Sequence, residues 1–276
     1  MAREYGIISL ILKAEGVIPM YTGTHRINYY ELDLNGRLKL SALSKIVQTA
    51  ADINATEIGV GFKSLVKANM SFVLQRFAFG IERLPEYDET VEIRTWPSSI
   101  ERGTWLRKGD GALPLSSDSP MVGMSPRSLD GLPVNKKLLE WTSQWILFDI
   151  ASRKILRPSA LPVSLTEYGD NGVTIAPRRI VLPQSEVTAQ YTHTVRRADV
   201  DTNNHMNNSV YLDLVCNVTD TPANIREIQI NYLAEARLGE EIIVTARQAE
   251  GSVFVAGEVN GRSSFIVELA ACPASS

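Results

Sequence analysis

Cysteine is nearly absent from this chain. Its 276 residues include only Cys216 and Cys272, with no CxxC spacing. That excludes a disulfide framework and a thiolate zinc site, and it fits a reducing cytosol. Histidine is as scarce: with only His25, His193 and His205, a multi-histidine metal centre is not available. Long apolar runs are missing too. The N-terminal "GIISLILK" is apolar only from Ile7 to Leu12, too short for a signal peptide or a membrane span, and reads as a first strand or a disordered leader. There is no basic excess, since the net charge is −3 and the pI near 5.7, which argues against general nucleic-acid binding. A hydrophobic content of 44% with 21% charged residues is that of a soluble globular chain, expected in the cytoplasm. The length allows one large domain or two of ordinary size.

What is present is a repeat. "ELDLNGRLKL" from Glu31 and "DVDTNNHMNN" from Asp199 align position by position: Glu31 with Asp199, Asp33 with Asp201, Asn35 with Asn203, Arg37 with His205. A helical run follows each. In "SALSKIVQTAADINATEIG" the residues Leu43, Ile46, Val47, Ala50 and Ile53 recur at helical spacing, with Ser41 as N-cap. In "SVYLDLVCNV" the same spacing holds for Val210, Tyr211, Leu214 and Val218, with Asn207 or Asn208 as cap.

Strands follow both helices. Phe77, Phe79 and Ile81 alternate, then Val91 and Ile93; in the second copy Ile228, Ile230 and Tyr232 alternate, then Ile242 and Val244. Period two with branched and aromatic residues predicts strands with one buried face. Each copy thus reads as a strand, a polar turn, a helix and several antiparallel strands. The fold class is α+β, a duplicated unit with one long helix per sheet. The first domain is expected over 15–160 and the second over 175–273, with the boundary in the proline-rich stretch from Arg157 to Pro183. From Lys108 to Glu140 glycine, proline and serine are scattered without alternation, so 108–140 is expected to be irregular.

These stretches together resemble the acyl-acyl-carrier-protein (acyl-ACP) thioesterase family, the bacterial relatives of the plant fatty-acyl enzymes. The resemblance rests on "ELDLNGRLKLSALSKIVQTAAD", "FVLQRF" with "TWPSSIERG", "TSQWILFDIASRKILRP" and "RRADVDTNNHMNNSVYLDLV". It implies a double hotdog, in which each half wraps an antiparallel sheet around its helix. It implies that the first half forms the acyl-chain pocket and that the second carries the chemistry. Asp201, Asn203 and His205 match the family's Asp-x-Asn-x-His set. The family's Glu-Cys pair falls on Glu235 and Ala236, so the glutamate is kept and a thiol nucleophile is excluded there. The family's usual strand is not legible in 108–140. The implied activity is release of fatty acid from acyl-ACP; the rivals are hydrolysis of acyl-CoA on the same fold and non-catalytic binding of acyl thioesters. No cofactor or metal is implied, and a monomer or homodimer is expected.

Thioester hydrolysis needs an activated water or nucleophile and donors for the oxyanion. In this reading Glu235 is general base or nucleophile, His205 and Asn203 hold the thioester and the water, and Asp201 orients those two side chains. The first amides of the helix after the turn are expected as free donors. The bland alternative is an Asx turn that only caps a helix. The first copy is the control, for it has Gly36 and Arg37 where the second has Asn204 and His205, so building the turn does not require the histidine. His193 reads as a strand residue, Cys216 as a buried thiol, and Trp96, Trp105, Trp141 and Trp145 as core or pocket walls. Carrier protein bearing a phosphopantetheine-linked acyl chain is the expected partner, and it is acidic. Arg196 and Arg197, with Arg178 and Arg179 upstream, are candidate docking residues.

Overall fold

The computed structural model describes residues 20–114, 136–161, 165 and 169–271; the "GIISLILK" stretch and both outer domain limits lie outside them. The first half contains β1 (Tyr21–Arg26), a one-turn 3-10 helix (Tyr29–Glu31), α1 (Leu40–Glu57), α2 (Phe62–Lys67), β2 (Met70–Ile81), β3 (Thr90–Glu101), β4 (Thr104–Ala112), β5 (Lys137–Asp149) and the short β6 (Lys154–Ile155). The second half repeats the series: β7 (Val187–Thr194), a one-turn 3-10 helix (Arg197–Asp199), α3 (Val210–Val218), β8 (Ile225–Tyr232), β9 (Glu241–Ala249), β10 (Ser252–Val259) and β11 (Arg262–Ala271).

All these strands join one 11-stranded antiparallel sheet in the order β1-β3-β4-β5-β2-β8-β11-β10-β9-β7, with β6 added to β5. The two halves have the same internal order and meet at β2 and β8, where Phe77 lies opposite Ile230. The helices share one face of the sheet. Leu43, Val47 and Ala50 of α1 and Tyr211, Leu214 and Val215 of α3 pack with Phe77, Phe79, Ile228 and Ile230 into a core that both halves build. This is the double hotdog expected from the resemblance.

Local details depart from expectation. Helix α1 starts at Leu40 with Lys39 as N-cap, and Ser41 is buried within its first turn. The Lys39 N–H donates to the Glu31 carbonyl at 2.9 Å, and this keeps the chain extended up to the turn that launches the helix. Ile53 is exposed, because the buried stripe 43–47–50 continues to Asn54 instead.

The expectation of an irregular 108–140 is overturned at both ends. Strand β4 runs on to Ala112 and β5 begins at Lys137, and Gly109 pairs with Trp141 in register. A Cβ on Gly109 would come within 2.2 Å of the Trp141 ring and 2.4 Å of the Arg94 carbonyl. Its glycine therefore marks a close approach inside a sheet, not a loop. The remainder of that stretch, 115–135, lies outside the described residues.

The connection between halves is a strap over the sheet's outer face. Between Gly169 and Leu182 it has no secondary structure of its own, and polar side chains pointing out of the strands hold it. Lys108 Nζ donates to the Val173 carbonyl at 2.9 Å and Thr142 Oγ1 to that of Ile175 at 2.6 Å. Glu140 Oε1 accepts the Thr174 and Ile175 N–H groups at 3.1 and 2.9 Å. Gln229 and Asn231 each hold one N–H and one C=O of the strap, at 2.8–3.1 Å. These five side chains are buried, as polar groups are only when partnered. Beyond them Ile180 and Leu182 pack on Phe254, Ala256 and Ile266. Among the described residues, no helix is long and apolar enough to cross a membrane.

Candidate active site

Two hydrogen-bond patterns built from the same residue types show how the sequence makes the turn. After β7, Asp199 accepts the Arg196 N–H at 2.7 Å and lies 2.8 Å from His193 Nε2. After β1, Glu31 accepts the Asn28 N–H at 2.8 Å and lies 2.9 Å from His25 Nε2. His193 is thus a strand residue, as expected, that anchors the turn. Next, Asp201 N–H donates to the His205 carbonyl, the Asn204 N–H to the Asp201 carbonyl, and the Asn203 N–H to Asp201 Oδ1, at 2.8–3.2 Å. Asp33, Gly36 and Asn35 make the same three bonds with Arg37 at 2.8–3.0 Å. The residue at the bend has φ 63° at Asn204 and φ 75° at Gly36, a left-handed conformation that asparagine and glycine adopt most readily.

The twins differ in what they present. His205 is half-buried, and its Nδ1 lies 3.2 Å from the Met206 carbonyl. With a proton on Nδ1, that bond leaves Nε2 as an open acceptor. Arg37, its counterpart, reaches away and donates from Nη1 to the Thr221 carbonyl at 2.7 Å. The β8–β9 loop brings in Glu235. Buried Ala236 accepts the Met206 N–H at 2.8 Å through its carbonyl, and its N–H donates to the Tyr211 hydroxyl at 3.2 Å. These bonds seat Glu235 beside the His205 turn. In the β2–β3 loop, Glu86 N–H to Glu89 (2.8 Å) repeats Arg237 N–H to Glu240 (2.7 Å), which puts Leu84 at the Glu235 position. The first half keeps the turn and lacks both groups.

The Glu235 carboxylate lies 3.3 Å from Arg237 Nη2 and 3.4 Å from Arg153 Nη2. Burial pushes its carboxyl up, but the Arg237 hydrogen bond and the charges of His205, Arg153 and Arg237 outweigh that and hold it below the usual carboxylate range. Arg153 sits in the β5–β6 turn, far away in sequence, at φ 53°. Nothing in the sequence around it announces a site.

Two expectations about the turn are corrected. Asp201 makes no hydrogen bond to the side chains of Asn203 or His205: Oδ1 takes the Asn203 N–H and Oδ2 takes Asn207 Nδ2 at 3.1 Å. Asn203 is exposed. Nor are the opening amides of α3 all free. Asn207 accepts the Ser209 N–H on Oδ1 at 3.0 Å and the Val210 N–H on its carbonyl at 2.9 Å, because an asparagine just before a helix closes an Asx turn on it. Asn207 thereby couples Asp201 to the helix start, a role that a reading of it as cap alone does not contain.

Arg196 and Arg197 are exposed beside this turn. Arg178 is exposed too, and it is engaged with Glu268 at 2.8 Å and Glu227 at 3.5 Å. Burial pushes the Cys216 thiol up, away from reactivity.

A cavity of about 290 Å³ opens in the first half between α1, α2 and strands β2 to β5. Its walls are mainly apolar, with Val60, Leu65, Phe72, Trp105 and Trp145 among them, while Trp96 and Trp141 belong to the core. Strand β8 pairs with β2 with Asn231 opposite Arg76, so the chain continuing past Tyr232 to Glu235 heads along the start of β2. Ser71 and Phe72, on that same stretch, line the cavity.

Two family models match the chain, the acyl-ACP thioesterase N-terminal domain over residues 19–108 and the acyl-ACP thioesterase C-terminal domain over 183–263. Oleoyl-acyl carrier protein thioesterase 2, chloroplastic, of Arabidopsis thaliana is 24% identical over 209 residues, 67% of this chain and 50% of its own. This chain therefore spans about half the length of that curated relative. The crystal structure of an acyl-ACP thioesterase from Bacteroides thetaiotaomicron superposes with a TM-score of 0.75 at 21% identity, covering 91% of this chain and 97% of the other. The 12:0-ACP thioesterase from Umbellularia californica gives 0.71 at 17% identity, covering 91% and 96%. Matched by both domain models in order, over more than half its length and on both sides of the strap, the chain belongs to the acyl-ACP thioesterase family.

Proposed function

We propose that the protein hydrolyses the thioester joining a fatty acyl chain to acyl carrier protein, releasing the free acid and ending elongation. The observation that carries this is the asymmetry of the twin turns: both keep the aspartate, Asp201 or Asp33, but the half with His205 also receives Glu235, and the half with Arg37 receives Leu84. Folding alone accounts for the turn, and only chemistry accounts for the difference. Glu235 takes a proton from water, the hydroxide attacks the carbonyl carbon, the C–S bond breaks and the thiol leaves with a proton. His205 holds the thioester, and Asn203, on the exposed lip, contacts substrate or water. Asp201 acts as a positioning residue through the backbone and Asn207.

The cavity over β2 to β5 takes the acyl chain, with residues 15–160 as the chain-binding unit and 175–273 as the catalytic one. Arg196 and Arg197 receive the acidic carrier, in a cytoplasmic setting. The test is hydrolysis of acyl chains of graded length on carrier protein and on CoA. Glu235→Ala and His205→Ala should each lose at least about a hundredfold in kcat, the usual contribution of a positioned acid–base group. Near-wild-type turnover in folded Glu235→Ala and Asp201→Ala would refute the assignment. Equal efficiency on CoA esters would turn the reading to an acyl-CoA thioesterase.

A further inference from the structure

A guanidinium faces the cavity without a carboxylate beside it. Arg107 sits in β4, opposite Ser143 of β5 and Pro97 of β3, and its side chain lines the cavity with Phe72, Trp105 and Trp145. Its Nη1 donates to Asn54 Oδ1 at 2.9 Å and Thr95 Oγ1 at 3.4 Å. Both acceptors are neutral; among the described residues the exposed Asp52 also lines the cavity, but no carboxylate lies within ion-pair distance of Arg107. Arg94, on the neighbouring strand, is the contrast: it is held bidentately by Asp110 at 2.6 and 2.7 Å.

A guanidinium carries five N–H donors, and the two acceptors named both serve Nη1. The other nitrogens of Arg107 are not sealed against protein, since none of them is a fully buried atom without a partner. They open into the cavity that the side chain lines. Desolvation pulls the group down to about 10, so it stays cationic at neutral pH.

A plain hydrocarbon in this cavity would cover those donors and offer them nothing, which costs about ten- to a hundredfold in affinity. The cavity spans from Ser71 and Phe72 on β2 to Pro97 on β3. Two strand spacings separate β2 from β4 in the sheet order, roughly 10 Å. A chain entering beside β2 therefore meets Arg107 with its distal part and not next to the thioester.

Resting on the thioesterase reading above, we infer that Arg107 is a specificity residue selecting acyl chains with a hydrogen-bond-accepting oxygen on their distal half, as a hydroxyl, keto or terminal carboxylate group. Asn54 and Thr95 hold the guanidinium in place, and the oxygen completes its donor set. The buried asparagine at the end of the α1 stripe, in place of an apolar residue, then has a reason.

The test uses the full chain and two readouts. Calorimetry measures binding of an unsubstituted saturated acid, its ω-hydroxy analogue, the corresponding dicarboxylic acid and the β-hydroxy analogue. Thioesters of the same four are assayed for kcat/KM. In the wild type, the ω-hydroxy or dicarboxylic compound should bind at least about tenfold tighter than the unsubstituted one, and the β-hydroxy compound should gain nothing. Arg107→Met should erase the preference, read as the ratio of oxygenated to plain chain in both assays, and Arg107→Lys, which keeps the charge on a shorter reach, should retain part of it. Equal affinity for plain and ω-oxygenated chains in the wild type overturns the inference without any variant, as does a preference that survives in Arg107→Met. Arg107-dependent binding without hydrolysis of any thioester would uphold the subsite and sink the thioesterase reading. Hydrolysis of plain chains without ω preference would do the reverse.

Discussion

Glu235 lies under opposing influences, burial raising its pKa while the Arg237 hydrogen bond and the charges around it, those of Arg153 and Arg237 among them, lower it, and the lowering influences win. An ionised carboxylate therefore persists to lower pH than an ordinary glutamate allows. Its stabilising interactions are complete above the ordinary pKa and are lost as pH falls through the depressed one. Arg153→Ala with Arg237→Ala removes two of those neighbours and raises the pKa, so the acid limb of kcat/KM should move to higher pH. A pH–rate profile of the double variant checks this, and an unmoved limb would mean that the two arginines do not govern the group. At this scale the site was legible in part. His205 stood out because the chain carries its own control, a turn with the same aspartate at Asp33 and an arginine at Arg37. Arg153 did not, since only the folded β5–β6 turn carries it to Glu235. Arg107 reads as an ordinary strand arginine until the cavity is seen.

Elements were read best where burial has one simple period. Phe77–Phe79–Ile81 and Ile228–Ile230 lie in β2 and β8 with the expected faces inward. Strand β4 was missed because "RKGDGA" has polar groups and glycines where a two-sided sheet strand would show valines. Its glycine admits Trp141, and its Lys108 is buried by the strap. Gly109→Ala should destabilise the fold by about 2 kcal/mol or more through overpacking, visible as a lowered Tm and denaturation midpoint. An unchanged midpoint would show that Trp141 has room to move. Gln229 and Asn231 mislead in the same way. Their alternation with isoleucine predicts a solvated face, yet Asn231 is 2% exposed, with the strap as its solvent. Asn231→Leu would leave one N–H and one C=O of the strap without partners, for about 1–3 kcal/mol each. Limited proteolysis should then cut between Gly169 and Leu182 faster than in the wild type.

The whole molecule is less divisible than the duplication implies. One sheet runs through the β2–β8 seam and one core contains side chains from both helices. Calorimetric unfolding should therefore show a single transition in which both halves melt together. Two resolved transitions would restore the picture of independent domains. The duplicated order of strands was readable from the repeat, whereas the course of the strap was not, because a segment without periodicity gives no sign of where it lies. That course has a consequence for assembly. From Trp96 Nε1 at the Gly169 carbonyl, across β4, β5 and β8, to Ile180 on β10 and β11, the strap occupies the surface on which another sheet would stack back to back. Among the described residues, what is left to copies of this chain is the unpaired side of each edge strand, β1 and β7. Joining there would lengthen the sheet instead of thickening it, giving ribbons rather than layered clusters.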